Sequence, residues 1–140
     1  MSKYSTYDLT NNLRYHSAWV EICRIFLSRH PEATFAALLT DLHNVEQSAV
    51  DLTARRLRLE GSPPATIDSD KRLVKQALML PTEDERLRFV SGGLYRSKAW
   101  YQDKLAKPEV PHQDLWQQLL DQQNEFVERH SGLLDLLAAK

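Results

Sequence analysis

Four polar side chains stand where the helical periodicity of this chain asks for apolar ones: His16, His43, Glu46 and His130. Leu9, Leu13, His16, Val20, Cys23 and Leu27 recur at alternating four- and three-residue spacing, which places them on one helical seam that His16 interrupts. His43 and Glu46 are three apart in a second apolar pattern, so they project from adjacent turns of one face. His130 falls in a third seam, with Trp116, Leu119, Gln123, Phe126, Leu133 and Leu137. Imidazole nitrogens and a carboxylate together form a donor set suited to zinc, iron or manganese. Converging from separate helices, the four are the candidate ligands of one divalent transition metal. Gln123, two turns before His130, is the candidate outer partner.

A structural reading competes with this. Histidine tolerates a core edge when its nitrogens are satisfied, and a Glu46–histidine pair or a hydrogen bond to Tyr15 or Tyr101 would account for the same residues without any metal. Other chemistries find less support. Cys23 lies seven residues from His16, about two turns away, too far for a thiolate–imidazole pair, and reads as a small core residue. Gly92-Gly93 sits inside a helical pattern and makes no phosphate loop. Glu83-Asp84-Glu85 occupies a first helical turn, where negative charge is favoured by the helix dipole.

The elements that must position these residues are all helical. A first long helix is expected over about residues 6–29, carrying a second apolar seam of Tyr15, Trp19, Ile22 and Phe26; so broad an apolar girth means a central helix or one buried against another chain. Pro31 separates it from a second helix, and the short connection makes the two antiparallel. That helix extends to Glu60, where Gly61-Ser62-Pro63-Pro64 stops it. A crossover over 62–81 contains a short helix, with Asp68 or Ser69 as its cap and Leu73, Val74, Ala77 and Leu78 inside it. Thr82 and Glu85 form a capping box that opens a third long helix, whose seam reads Leu87, Val90, Leu94, Ser97, Tyr101 and Leu105. Its Gly92-Gly93 pair costs helix stability and so marks a kink or a close helix crossing. After the turn at Lys107–Pro111, a last helix runs to about Ala138. Two short turns join the long helices pairwise and one long connection separates the pairs. The fold expected for 1–140 is therefore a single all-α domain, a four-helix bundle with one long crossover, with an up-down-up-down bundle as the alternative if the short crossover helix folds back.

Composition narrows the function classes. A mixture of 42% apolar and 26% charged residues belongs to a chain that folds alone. The net charge of −1, with 18 basic and 19 acidic side chains, leaves no concentrated basic surface, so nucleic acid is not an expected partner. Arg55, Arg56 and Arg58 gather at a helix C-terminus, where cations are favoured anyway. The absence of a signal-like N-terminus, of any run near the roughly 18 apolar residues that cross a bilayer, and of a second cysteine predicts a cytoplasmic protein with no membrane role.

The helix lengths, the crossover, and the stretch Leu42-His43-Asn44-Val45-Glu46 followed by Leu57-Arg58-Leu59-Glu60-Gly61-Ser62-Pro63-Pro64 resemble the ferritin-like and rubrerythrin-like superfamily. The resemblance implies a pair of irons held by a glutamate from each of two helices and a Glu-x-x-His from each of the other two. The residues for that are missing here. The one Glu-x-x-His, Glu109 to His112, lies in a proline-bearing turn; Val127 stands three before His130, and Ala49 three after Glu46. A second resemblance is to DinB-type bundles, which hold one divalent ion with histidines. His43 and His130 fit that pattern, while Phe126 stands where a partner histidine belongs. The resulting expectation is a ferritin-like bundle without a complete di-iron site, acting in binding or assembly and self-associating through its first helix. A mononuclear metal protein using His16, His43, Glu46 and His130 is the alternative. A third reading places an apolar or aromatic ligand between the helices, against Trp19, Phe26, Tyr101 and Phe126.

Overall fold

Helix ends in this protein are set by a handful of side chains. In the computed structural model, which describes residues 3–64 and 67–138 with side chains over 6–64 and 67–136, these ends delimit α1 (Lys3–Leu27), α2 (Ala33–Leu59), α3 (Lys71–Leu78), α4 (Glu83–Leu105), α5 (Gln113–Arg129) and α6 (Ser131–Ala138). No strand occurs among the described residues. Glu32 accepts from the Thr34 amide to open α2, and Thr82 accepts from the Glu85 amide to open α4. Gly61, at φ +83°, closes α2 by letting its own amide reach Arg58 O and that of Ser62 reach Leu57 O, the paired bonds of a Schellman ending. The cap of the crossover helix is Asp70, not Asp68 or Ser69: its carboxylate accepts from the amides of Arg72 and Leu73.

Cross-chain contacts give the helix directions. Along α1 and α4, Asp8 meets Lys104, Tyr15 meets Gly93, and Arg29 reaches the carbonyls of Leu78 and Leu80 just before α4, so the two run antiparallel. Along α2 and α5, Asp41 meets Arg129, Ser48 meets Gln122, and Arg56 meets Asp114, again antiparallel. The crossover climbs α1, with the Asp70 amide donating to Arg14 O before α3 packs on the same helix. Helices α1, α2, α4 and α5 thus run up, down, down and up.

The wide apolar girth of α1 is covered by α2, α3 and α4. Leu9, Trp19, Ile22, Cys23 and Phe26 are all buried, and Tyr7 is the one large apolar side chain on its described part that stays exposed. Tyr4 and Leu137 lie outside the described side chains. Gly93 makes room for the Trp19 indole of α1 against α4, because a Cβ there would fall 2.2 Å from Trp19 Cζ2, whereas one on Gly92 would meet only the flexible tip of Arg96. Of the two glycines, Gly93 is therefore the one a neighbour requires. The last helix, expected to be continuous, breaks at His130, whose φ of −115° leaves the helical range. There the Nε2 atom binds Asp41 at 2.7 Å and the backbone amide is shared between Phe126 O and Val127 O, after which α6 turns Leu134 onto the core. No helix among the described residues is long and apolar enough to cross a membrane.

Candidate functional site

The core is divided in two. One apolar cluster gathers Trp19, Phe26, Leu38, Leu42, Val90, Leu94 and Phe126, and the other Leu9, Leu13, Ala49, Leu57, Tyr101, Trp116 and Leu119. Between them each of the four long helices turns one polar side chain inward: His16 from α1, Glu46 from α2, Ser97 from α4 and Gln123 from α5, all buried. In each helix this residue falls between members of the two apolar clusters in sequence, so the four sit at one level of the bundle.

Hydrogen bonds run through this layer as a chain. His16 Nδ1 bonds Glu46 Oε2 in a short contact, His16 Nε2 lies 2.7 Å from the Tyr101 phenol, Tyr101 donates to Asn12 Oδ1 at 3.0 Å, and Asn12 Nδ2 donates to Thr53 Oγ1 at 3.0 Å. Helix geometry explains the membership. Asn12 lies one turn before His16, and Thr53 lies two turns after Glu46, so each pair shares a face. Proton counting gives the chain a sense. The single phenolic proton of Tyr101 goes to Asn12, so its oxygen must accept from His16 Nε2–H. One further proton then lies between His16 Nδ1 and Glu46, and the pair is neutral as a whole whichever atom holds it. Burial, reinforced by the Glu46 charge, pushes the Tyr101 phenol well above its ordinary range. Tyr101 accordingly remains a donor at neutral pH. Burial, again with Glu46, raises Tyr15 to about 12, and its hydroxyl donates to Gly93 O at 2.7 Å.

One side of this layer opens onto a cleft of about 370 Å³ between α1, the crossover and α4. Asn12 and Ser97 reach it from the layer, Tyr15 and Trp100 supply aromatic walls, and Asn11, Arg14, Asp70 and Arg96 stand around it. The cleft's polar groups are not apparent from periodicity, since Asn11, Arg14 and Arg96 lie off the apolar seams. Asn12 carried a usable signal: it falls four residues before a histidine on an apolar seam.

Of the four residues singled out as ligands, the structure brings together His16 and Glu46. His43 is half-buried on α2, three residues before Glu46, and has no hydrogen-bond partner among the described residues. His130 sits at the α5–α6 junction against Asp41, which Arg129 also clamps; that guanidinium holds the Asp41 carboxyl below its usual range, with His130 assisting. Gln123 does not accompany His130 but donates to Leu94 O at 2.9 Å. Among the described residues no group of three or more His, Cys, Asp or Glu side chains is placed to hold a metal. An iron pair fits even less well, because Glu46 is the one buried carboxylate among the described residues and the other three positions of the layer are histidine, serine and glutamine. Cys23 is buried and free, and burial raises its thiol well above the usual value, which leaves it protonated and inert. Comparison of the chain with models of known families, with curated proteins and with solved structures found no match.

Proposed function

We propose that this chain is a binding protein without catalytic activity and that its ligand occupies the cleft between α1, the crossover and α4. The observation that carries the reading is the meeting of that cleft with the buried hydrogen-bonded layer at Asn12 and Ser97. A concave site with aromatic walls and a few fixed polar groups is the usual form of a small-molecule pocket, and the hydrogen-bond chain holds Asn12 from both ends of its amide. The same burial argues against catalysis. An acid or base must reach the atom it serves, whereas His16 and Tyr101 are 3% and 1% exposed, with both imidazole nitrogens and the phenol already engaged.

Architecture supports a ferritin-like bundle: the up, down, down, up order, and one inward polar side chain per helix at a common level, where active members of that superfamily carry metal ligands. In this chain the level has become a hydrogen-bonded layer. Self-association through α1 has less to rest on, because the apolar girth that suggested it is covered within the chain. A cytoplasmic setting accords with a lone buried thiol.

Nuclear magnetic resonance of the isotope-labelled protein titrated with a set of small aromatic and polar fragments tests the reading. The indole N–H of Trp100 and the side-chain amides of Asn11 and Asn12 are expected to shift with saturable curves while the exposed Gln117 amide stays still. Fragments that leave Trp100 and both asparagines unmoved at millimolar concentration would overturn it.

A further inference from the structure

The charge around the cleft is unbalanced. Arg14 and Arg96 both line it, and neither has a carboxylate within ion-pairing distance among the described residues. The one acidic residue lining it, Asp70, already has its carboxylate committed to the first amides of α3. Elsewhere Arg56 pairs with Asp114, Arg88 with Asp84 and Arg129 with Asp41, while Arg24, Arg55, Arg58 and Arg72 make no ion pair among the described residues, so what sets Arg14 and Arg96 apart is that both border one concavity. Two unpaired guanidiniums beside one concavity, in a chain that carries a net charge of −1, form a local positive field against the overall sign. Asn11 and Asn12 add amide groups, and the aromatic side chains of Tyr15 and Trp100, one face of the latter covered by Lys104 Nζ, supply apolar wall for a flat body. The volume sits near the small end of the range for ligand pockets, about 300–1,000 Å³.

We infer that the ligand is a small planar anion, an aromatic or unsaturated carboxylate, held by Arg14 and Arg96 at its charged end and by Tyr15 and Trp100 along its body. This rests on the cleft being a binding site, and it adds the sign and shape of the occupant. A guanidinium presents a fork of donors that matches a carboxylate, so charge and geometry act together.

Three probes of one shape and different charge test it: benzoate, benzamide and benzamidine, titrated against the whole chain with Trp100 fluorescence and calorimetry as readouts. Benzoate is expected to bind about tenfold more tightly than benzamide, with Arg96→Gln or Arg14→Gln each removing most of that preference, and added salt weakening benzoate alone. Both arginines are exposed, so these variants are expected to fold; their thermal midpoints are the check. Equal binding of benzoate and benzamide overturns the inference about charge while leaving the cleft as a site. A preference for benzamidine overturns it with the sign reversed, in favour of Asp70. If none of the three binds, the inference fails, and the fragment titration decides separately whether the cleft takes anything.

Discussion

Gly93 leaves no space between α4 and the Trp19 indole of α1, so a single methyl group there is a sensitive probe of how the two helices pack. In Gly93→Ala the new Cβ would lie 2.2, 2.9 and 3.0 Å from three atoms of the Trp19 indole, and restoring an ordinary 3.4 Å contact requires a movement of about 1.2 Å. The indole has no room to retreat: it is 3% exposed and packs against Phe89 with ring centroids 5.4 Å apart and against Tyr15 at 6.4 Å. Overpacking of this kind costs about 1–3 kcal/mol, and rigid ring atoms put this site at the upper end; the better helix propensity of alanine returns about 1 kcal/mol. The net expectation is a loss of about 1–2 kcal/mol. Gly92→Ala is the matched control, because its Cβ would meet only the end of the Arg96 side chain at 3.4 Å, so the propensity gain of about 0.5–1 kcal/mol should appear undiminished. Urea unfolding should therefore separate the two variants by about 2–3 kcal/mol, on opposite sides of the wild type, or about 1 M or more in midpoint. A Gly93→Ala protein as stable as the wild type would refute the tight packing of Trp19 on α4.

Other expectations follow from the same contacts. Glu46→Leu strands a buried imidazole and should cost about 3–5 kcal/mol, while the double variant His16→Leu, Glu46→Leu should lose much less than the sum of the single changes; additive losses in chemical unfolding would show that the two do not act as a pair. His112 accepts a hydrogen bond from Arg56 through Nδ1, and burial, then the Arg56 charge, lowers its pKa. The unfolded chain then binds a proton more readily, so stability should fall as pH drops below about 6.5, the ordinary imidazole value. His112→Gln should flatten that slope in a thermal-midpoint series, and an unchanged slope would count against the assignment. Asp41 works at lower pH. Held below its ordinary value chiefly by Arg129, it contributes stability that is present above about pH 4 and is lost in acid, so Asp41→Asn should shrink the acid limb of the same series. Zinc, ferrous iron or manganese added to protein made without an affinity tag should leave the thermal midpoint unchanged, since His16 and Glu46 are the only pair of the proposed ligands that meet. A stoichiometric upward shift would restore the mononuclear metal site.

The all-helical class, the four long helices with a short one in the crossover, and the inward histidine were legible from periodicity and punctuation. His16 was recognisable because it broke an apolar seam, and Gly92-Gly93 because such a pair is costly unless a neighbour needs the space. Three things were not. The break at His130 depends on a side chain 89 positions away, Asp41, and on a backbone amide shared between two carbonyls, neither of which leaves a local signal. The partner of Glu46 was undetermined, because seams on separate helices fix which residues face inward without fixing their relative height; the histidine on its own helix, His43, was nearer in sequence but makes no hydrogen bond among the described residues. The bonds of Asn12 and Thr53 were undetermined for the same reason. Asn12 stands four before His16 and Thr53 seven after Glu46, but only the four-helix register brings the amide between Tyr101 and Thr53.

The direct test of the whole account is the imidazole of His16. Long-range nitrogen–proton correlation should find a downfield, slowly exchanging ring proton on His16, in contact with Tyr101 and Glu46, and its resonance should move when a ligand fills the cleft beside Asn12. A His16 ring that exchanges with water as freely as exposed His30 would mean that the hydrogen-bonded layer does not exist.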